Sequence, residues 1–135
     1  MVQAEIDRNR DRIVALSKDI MAHPETGFQE ERTAARVQSV FKEMGLEFRS
    51  GLAHTGVKAR MKGRSVGPTI GVLGELDAII TPDSPVADPA TGAAHGCGHN
   101  AQIASMAGAG IGLQPIMKYL DGDVVLFAVP AEECI

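Results

Sequence analysis

The sequence predicts an α/β domain in which helices pack on a mixed, largely parallel sheet. Three observations carry this. Apolar residues recur at helical spacing through the first 44 residues. Val124 to Val129 is a run of six apolar residues, which suits a strand buried on both faces. Polar clusters follow directly on two predicted strands, and α/β sheets gather their sites at the carboxyl ends of strands.

The elements follow in order. Ile6, Ile13, Leu16 and Ile20 give a helix from about Glu5 to Met21, ended by His23-Pro24, because a residue before proline avoids the helical region. Ala34, Val37, Phe41 and Met44 stripe a second helix from about Glu30 to Met44, with Gly45 as its natural C′ residue. Phe48 to Ser50 and Val57 to Met61 read as short strands, and Gly63 and Gly67-Pro68 as turns before a strand at Thr69 to Leu73. Thr81 to Ala94, with three prolines and Gly92, reads as a loop. Gln102 to Leu113 reads as a helix whose small residues Ala104, Ala107, Gly108 and Gly112 permit close packing on a sheet. Pro115 starts a further short helical piece.

Composition narrows the function. Apolar residues are 44%, charged residues 22%, and the net charge is −4. That excess of acid argues against nucleic acid or an anionic membrane surface as a partner, since both need concentrated Lys and Arg. The charged N-terminus is not a secretory signal, and two cysteines make no disulfide framework, so a cytoplasmic setting is expected.

Three clusters carry the chemistry. Glu75 and Asp77 follow the Thr69–Leu73 strand. His95-Gly96-Cys97-Gly98-His99-Asn100 leads into the third long helix. Pro130-Ala131-Glu132-Glu133 follows the Val124–Val129 strand. The glycines beside Cys97 and His99 let a thiolate and an imidazole face one point, and both groups suit zinc-like ions. Pro130 interrupts pairing, so the adjacent acids Glu132 and Glu133 can bend toward one pocket. One acid holding metal while the other moves a proton is a sensible division. Plainer readings stand beside these: Glu75 and Asp77 as turn or capping acids, the double glutamate as solvated charges, Cys97 and Cys134 as small buried residues. A Cys97–His99 nucleophilic pair leaves the double glutamate without work.

Together and in this order the clusters resemble the M20 family of metallopeptidases, in its amidohydrolase branch of N-acyl-amino-acid, hippurate and p-aminobenzoyl-glutamate hydrolases. His23-Pro24-Glu25-Thr26-Gly27 with Glu30 and Thr33 belongs to the same resemblance, which runs from residue 23 to residue 133. Asn100 leans toward the p-aminobenzoyl-glutamate and dipeptidase-like members. The resemblance implies the fold of zinc-dependent exopeptidases. It implies Cys97, His99 and Glu133 as metal ligands, Glu132 as general base and Asp77 as the carboxylate orienting a ligand. It implies two divalent ions, zinc or manganese, and a small N-acyl amino acid or dipeptide-like substrate. Ile79-Ile80 stands where relatives carry Leu-Pro, and the Thr81–Ala94 loop is long, which bears on substrate preference. Relatives are far longer, adding two histidines and a lid and dimerisation domain. Residues 1–135 are therefore expected to be the first part of a catalytic domain. By themselves they are expected to hold at most one ion, to be inactive, and to associate as a homo-oligomer. The rival expectation is a module that only binds metal or only supports structure.

Overall fold

Helix α2 (Arg10–Met21) buries Leu16 and Ile20, and α3 (Glu31–Glu43) buries Ala34, Val37, Val40 and Phe41, as their apolar spacing requires. Both belong to a computed structural model that describes residues 1–134. The single first helix expected from the sequence is two: α1 (Val2–Arg8) and α2 meet at Asn9. Asn9 leaves helical geometry there (φ −103°, ψ 9°), and its side-chain amide donates to the Glu5 carbonyl at 2.9 Å. That bond shares the Glu5 carbonyl with the Asn9 backbone N–H, which is itself divided between the Glu5 and Ile6 carbonyls at this bend. The end of α3 is as expected. Gly45 adopts φ +69° and donates to the Lys42 carbonyl, while Leu46 donates to that of Phe41, a Schellman closure.

The remaining elements are β1 (Phe48–Leu52), β2 (Gly56–Lys62), β3 (Ser65–Glu75), the two-residue strands β4 (Ile79–Ile80) and β5 (Ala93–Ala94), α4 (His99–Leu113), a 3-10 turn (Gln114–Tyr119) and β6 (Asp121–Val129). The main sheet runs β1-β2-β6-β3. It is mixed: β6 lies parallel to β3 and antiparallel to β2, and β1 is antiparallel to β2. The parallel pair is joined through α4, the β–helix–β connection that such pairing demands. The loop expected from Thr81 to Ala94 holds β5, which pairs with β4 and closes it into a small hairpin.

One face of the sheet carries the core. Val57, Ala59 and Met61 of β2 lie opposite Ala128, Leu126 and Val124 of β6, and these six share a cluster with Ile20, Phe41, Ile103 and Met106 from the helices. The expectation that Val124–Val129 is buried on both faces is corrected. Burial alternates, and Val125, Phe127 and Val129 are only half-buried on the other face. The reason is that the described helices pack on one side, while Lys58, Arg60 and Lys62 line the other. There the Lys58 ammonium lies 5.8 Å over the Phe127 ring. The small residues of α4 divide their work. A side chain at Gly110 would collide with Leu126 of the sheet, whereas Gly108 and Gly112 admit Ile13 and Ile6 of the neighbouring helices. Among the described residues no helix is long and apolar enough to cross a membrane.

Candidate metal centre

The parallel pair ends with Glu75 opposite Val129, so the segments after β3 and β6 leave the sheet side by side. Leu76 still donates to the Val129 carbonyl at 2.9 Å, and Ala78 to that of Glu25 at 2.8 Å. Between them Asp77 is fully buried. The start of α4 arrives from the opposite side. Gly98 takes φ +82° there, a left-handed backbone that favours glycine, and the first helical residue is His99, not Gln102.

His99 is the hub. Its Nδ1 lies 2.8 Å from the Asp77 carbonyl oxygen. A carbonyl only accepts, so Nδ1 carries the proton and Nε2 is the nitrogen turned to the site. Nε2 stands 2.8 Å from Glu75 Oε2, 3.7 Å from Glu133 Oε1 and 3.8 Å from Glu132 Oε2. Glu75, His99 and Glu132 each offer a donor atom within 4.8 Å of the others. Among the described residues, the only cationic or titratable nitrogen within ion-pair reach of these carboxyl groups is that of His99. Concentrated acid around one imidazole, with no Lys or Arg to balance it, is a donor set for a divalent cation.

The sequence-predicted residues are gathered, with changes of emphasis. Asp77 Oδ2 accepts the Glu133 backbone N–H at 2.8 Å, so this one residue holds His99 through its backbone carbonyl and the double-glutamate turn through its carboxyl. Cys97 is exposed, and a hydrogen bond to Glu133 pushes its thiol up from the ordinary range, with Glu132 and Asp77 adding to the effect. The plainer reading of Cys134 as a buried residue is corrected: it is exposed, its sulfur against Gly27, where only a missing side chain leaves room. Glu75 is the nearest acid to His99 Nε2, not a mere turn residue. Its position two residues before Asp77 places it in the first polar cluster of the sequence.

Sequence reasoning assigned no role to two further residues, His95 and Glu25. His95 is 7% exposed, and neither ring nitrogen has a hydrogen-bond partner among the described residues. Burial, and then the neighbouring His99, lower its pKa to about 4, so it is neutral at physiological pH. Asp77 Oδ1 is likewise buried without a partner, 3.4 Å from His99 Nδ1 but outside hydrogen-bond geometry. Such orphaned buried atoms beside an imidazole and a thiol fit a wall built to face an ion. Glu25 caps α3 from outside the helix, its carboxyl accepting from Arg32 N at 2.9 Å and from Thr33 N and Oγ1 at 2.7 Å.

With this geometry in view, the chain resembles several known proteins. An N-acetylcysteine deacetylase of Bacillus subtilis is 32% identical over 126 residues, which take in 90% of this chain and 33% of the relative. A crystal structure of a Bacillus subtilis dinuclear metal-binding peptidase from the M20 family matches with TM-score 0.84 at 31% identity, over 94% of this chain and 37% of that one. The chain belongs to the amidohydrolase branch of the M20 family. An N-acyl-L-amino acid amidohydrolase of Geobacillus stearothermophilus is 27% identical over 95% of this chain and 35% of its own length. An aminobenzoyl-glutamate utilization protein of Klebsiella pneumoniae has the same fold, with TM-score 0.71 at 20% identity over 98% of this chain and 39% of that one. No protein-family model matches the chain. It spans about a third of the length of the curated relatives it matches. The M20 assignment agrees with the α/β fold and the mixed sheet described above.

Proposed function

We propose that this M20 segment forms the metal-holding wall of an amidohydrolase that cleaves the amide bond of N-acyl or N-aryl-acyl amino acids, or of dipeptide-like substrates. The observation that carries the reading is His99. Its Nδ1–H is committed to the Asp77 carbonyl, so Nε2 is presented to Glu75, Glu132 and Glu133. The substrate class is supported by the names of the relatives, which act on N-acetylcysteine and N-acyl-L-amino acids.

The residues divide as follows. His99, Glu133 and Cys97 are the ligands of zinc or manganese, with Glu75 beside them. A divalent ion bound there supplies Lewis acidity for the scissile carbonyl and acidifies a water. The two glutamates are almost equidistant from His99 Nε2, and the tightest convergence of donor atoms includes Glu132. Exposure favours Glu132 as the base nevertheless: its side chain is 49% exposed against 25% for Glu133. The freer carboxylate takes the proton of the attacking water and returns it to the leaving amine. Asp77 holds His99 and the Glu133 backbone in place, as an acid behind a ligand does.

Val66, Ile70 and Leu73, exposed along edge strand β3, support association between chains as a homo-oligomer. The net charge of −4 supports a small-molecule substrate over nucleic acid or membrane. Calorimetric titration with zinc and with manganese, followed by assay on N-acetyl amino acids, tests the reading. Metal binding abolished by His99→Ala is expected. No binding of either ion would falsify it, and binding without turnover in the full-length enzyme would favour a module that only holds metal.

A further inference from the structure

We propose that Glu30, through Thr55 and Ala131, is the positioning residue for the turn that presents Glu132 and Glu133; the proposal rests on the metal-centre reading above. Glu30 is completely buried. Its Oε1 accepts the Ala131 backbone N–H at 2.8 Å, and its Oε2 accepts the Thr55 hydroxyl at 2.7 Å. One carboxyl group thus joins the entry to α3, the turn between β1 and β2, and the exit of β6.

The turn needs such a partner. Strand β6 ends at Val129, and Pro130 has no N–H to give. The amide of Ala131 is therefore the first one after the strand, and it finds no place in the sheet. Ala131 also adopts φ +55°, a left-handed backbone that a residue with a side chain resists. Such a conformation persists only where its surroundings over-determine it. Here they do so from three sides. Glu30 holds the amide of residue 131, Asp77 holds that of residue 133, and Gly27 lies so close that a side chain on it would strike Ala131 and Cys134. Glu132 lies between the two held amides, its side chain turned out toward His99.

Thr55 is fixed in its turn. It is 7% exposed and follows Ala53 and His54, both at positive φ, and the His54 ring meets Phe28 edge-on at 5.3 Å. Neither contact of Glu30 is needed to complete a helix or the sheet. The first turn of α3 is capped by Glu25, which leaves the Glu30 side chain free to serve the Glu132 turn.

The test compares the unaltered chain with Glu30→Gln, Glu30→Ala and Phe41→Leu by cobalt(II) titration and amide hydrogen exchange. Glutamine keeps an acceptor for the Ala131 N–H and can reverse the other bond, its amide donating to the Thr55 hydroxyl. Phe41→Leu loosens the core beside α3 without touching the turn. The expected result is that Glu30→Ala weakens cobalt binding about tenfold or more, and speeds exchange at Ala131 and Glu133, while the other two variants stay within about threefold on both readouts. Unchanged binding and exchange in Glu30→Ala would overturn the proposal. So would a Glu30→Gln as impaired as Glu30→Ala, or an equal loss in Phe41→Leu. If the unaltered chain takes up no cobalt, the metal-centre reading fails, and exchange at Ala131 alone decides the role of Glu30.

Discussion

The imidazole of His99 and the main chain of Asp77 form one unit: Nδ1 donates to the Asp77 carbonyl at 2.8 Å, while the Asp77 side chain takes the Glu133 amide at the same distance. A single residue thus sets the tautomer of His99 and the backbone of Glu133.

Asp77→Asn is expected to lower zinc affinity about 10- to 100-fold, the usual effect of changing a group behind a ligand, with the fold retained. The backbone bond to His99 survives the substitution, so the loss should be graded and not total. Competition titration with a chromogenic chelator, beside circular dichroism, checks both halves of the expectation.

Glu132→Gln and Glu133→Gln should separate despite their adjacency. In the full-length enzyme, Glu132→Gln is expected to cut hydrolysis of an N-acyl amino acid by at least about 10²-fold while zinc stays bound. Glu133→Gln is expected to lose zinc as well. Equal metal contents in the two purified variants would contradict the division argued from their exposures.

Cys97 is exposed, and its thiol is held above the ordinary range by its bond to Glu133. A raised pKa means less thiolate at a given pH, so alkylation of Cys97 should reach its half-maximal rate at higher pH than that of a free thiol. Bound zinc should then protect Cys97 and leave Cys134 reactive. Peptide mass spectrometry after iodoacetamide distinguishes the two sites, and loss of Cys97 at equal rates with and without zinc would count against its role as a ligand.

A fold prediction concerns Gly122. It has φ +85°, and a side chain there would run into the backbone of Gly67 and Pro68. Gly122→Ala should therefore cost about 2 kcal/mol or more, because the obstacle is main chain that cannot rotate away. Thermal unfolding measures it, and a melting temperature unchanged from the parent would refute the strain.

The sequence by itself determined most of the elements and the three polar clusters. Apolar spacing located α2 and α3, Gly45 marked a helix end, and the glycines around Cys97 and His99 marked a turn able to face both groups one way. These are local properties, set by propensity and by which residues tolerate a given backbone. The break at Asn9 is local but was not legible, since an asparagine side chain can satisfy the backbone in more than one way. Tertiary structure alone decided which face of β6 is covered, since an apolar run does not say where the helices lie. It decided that Glu75 approaches His99, and that Glu30, 101 residues before Ala131, holds the turn. Such pairings depend on how β3, β6 and α4 meet, and no spacing along the chain encodes the distance between two strand ends and a helix start.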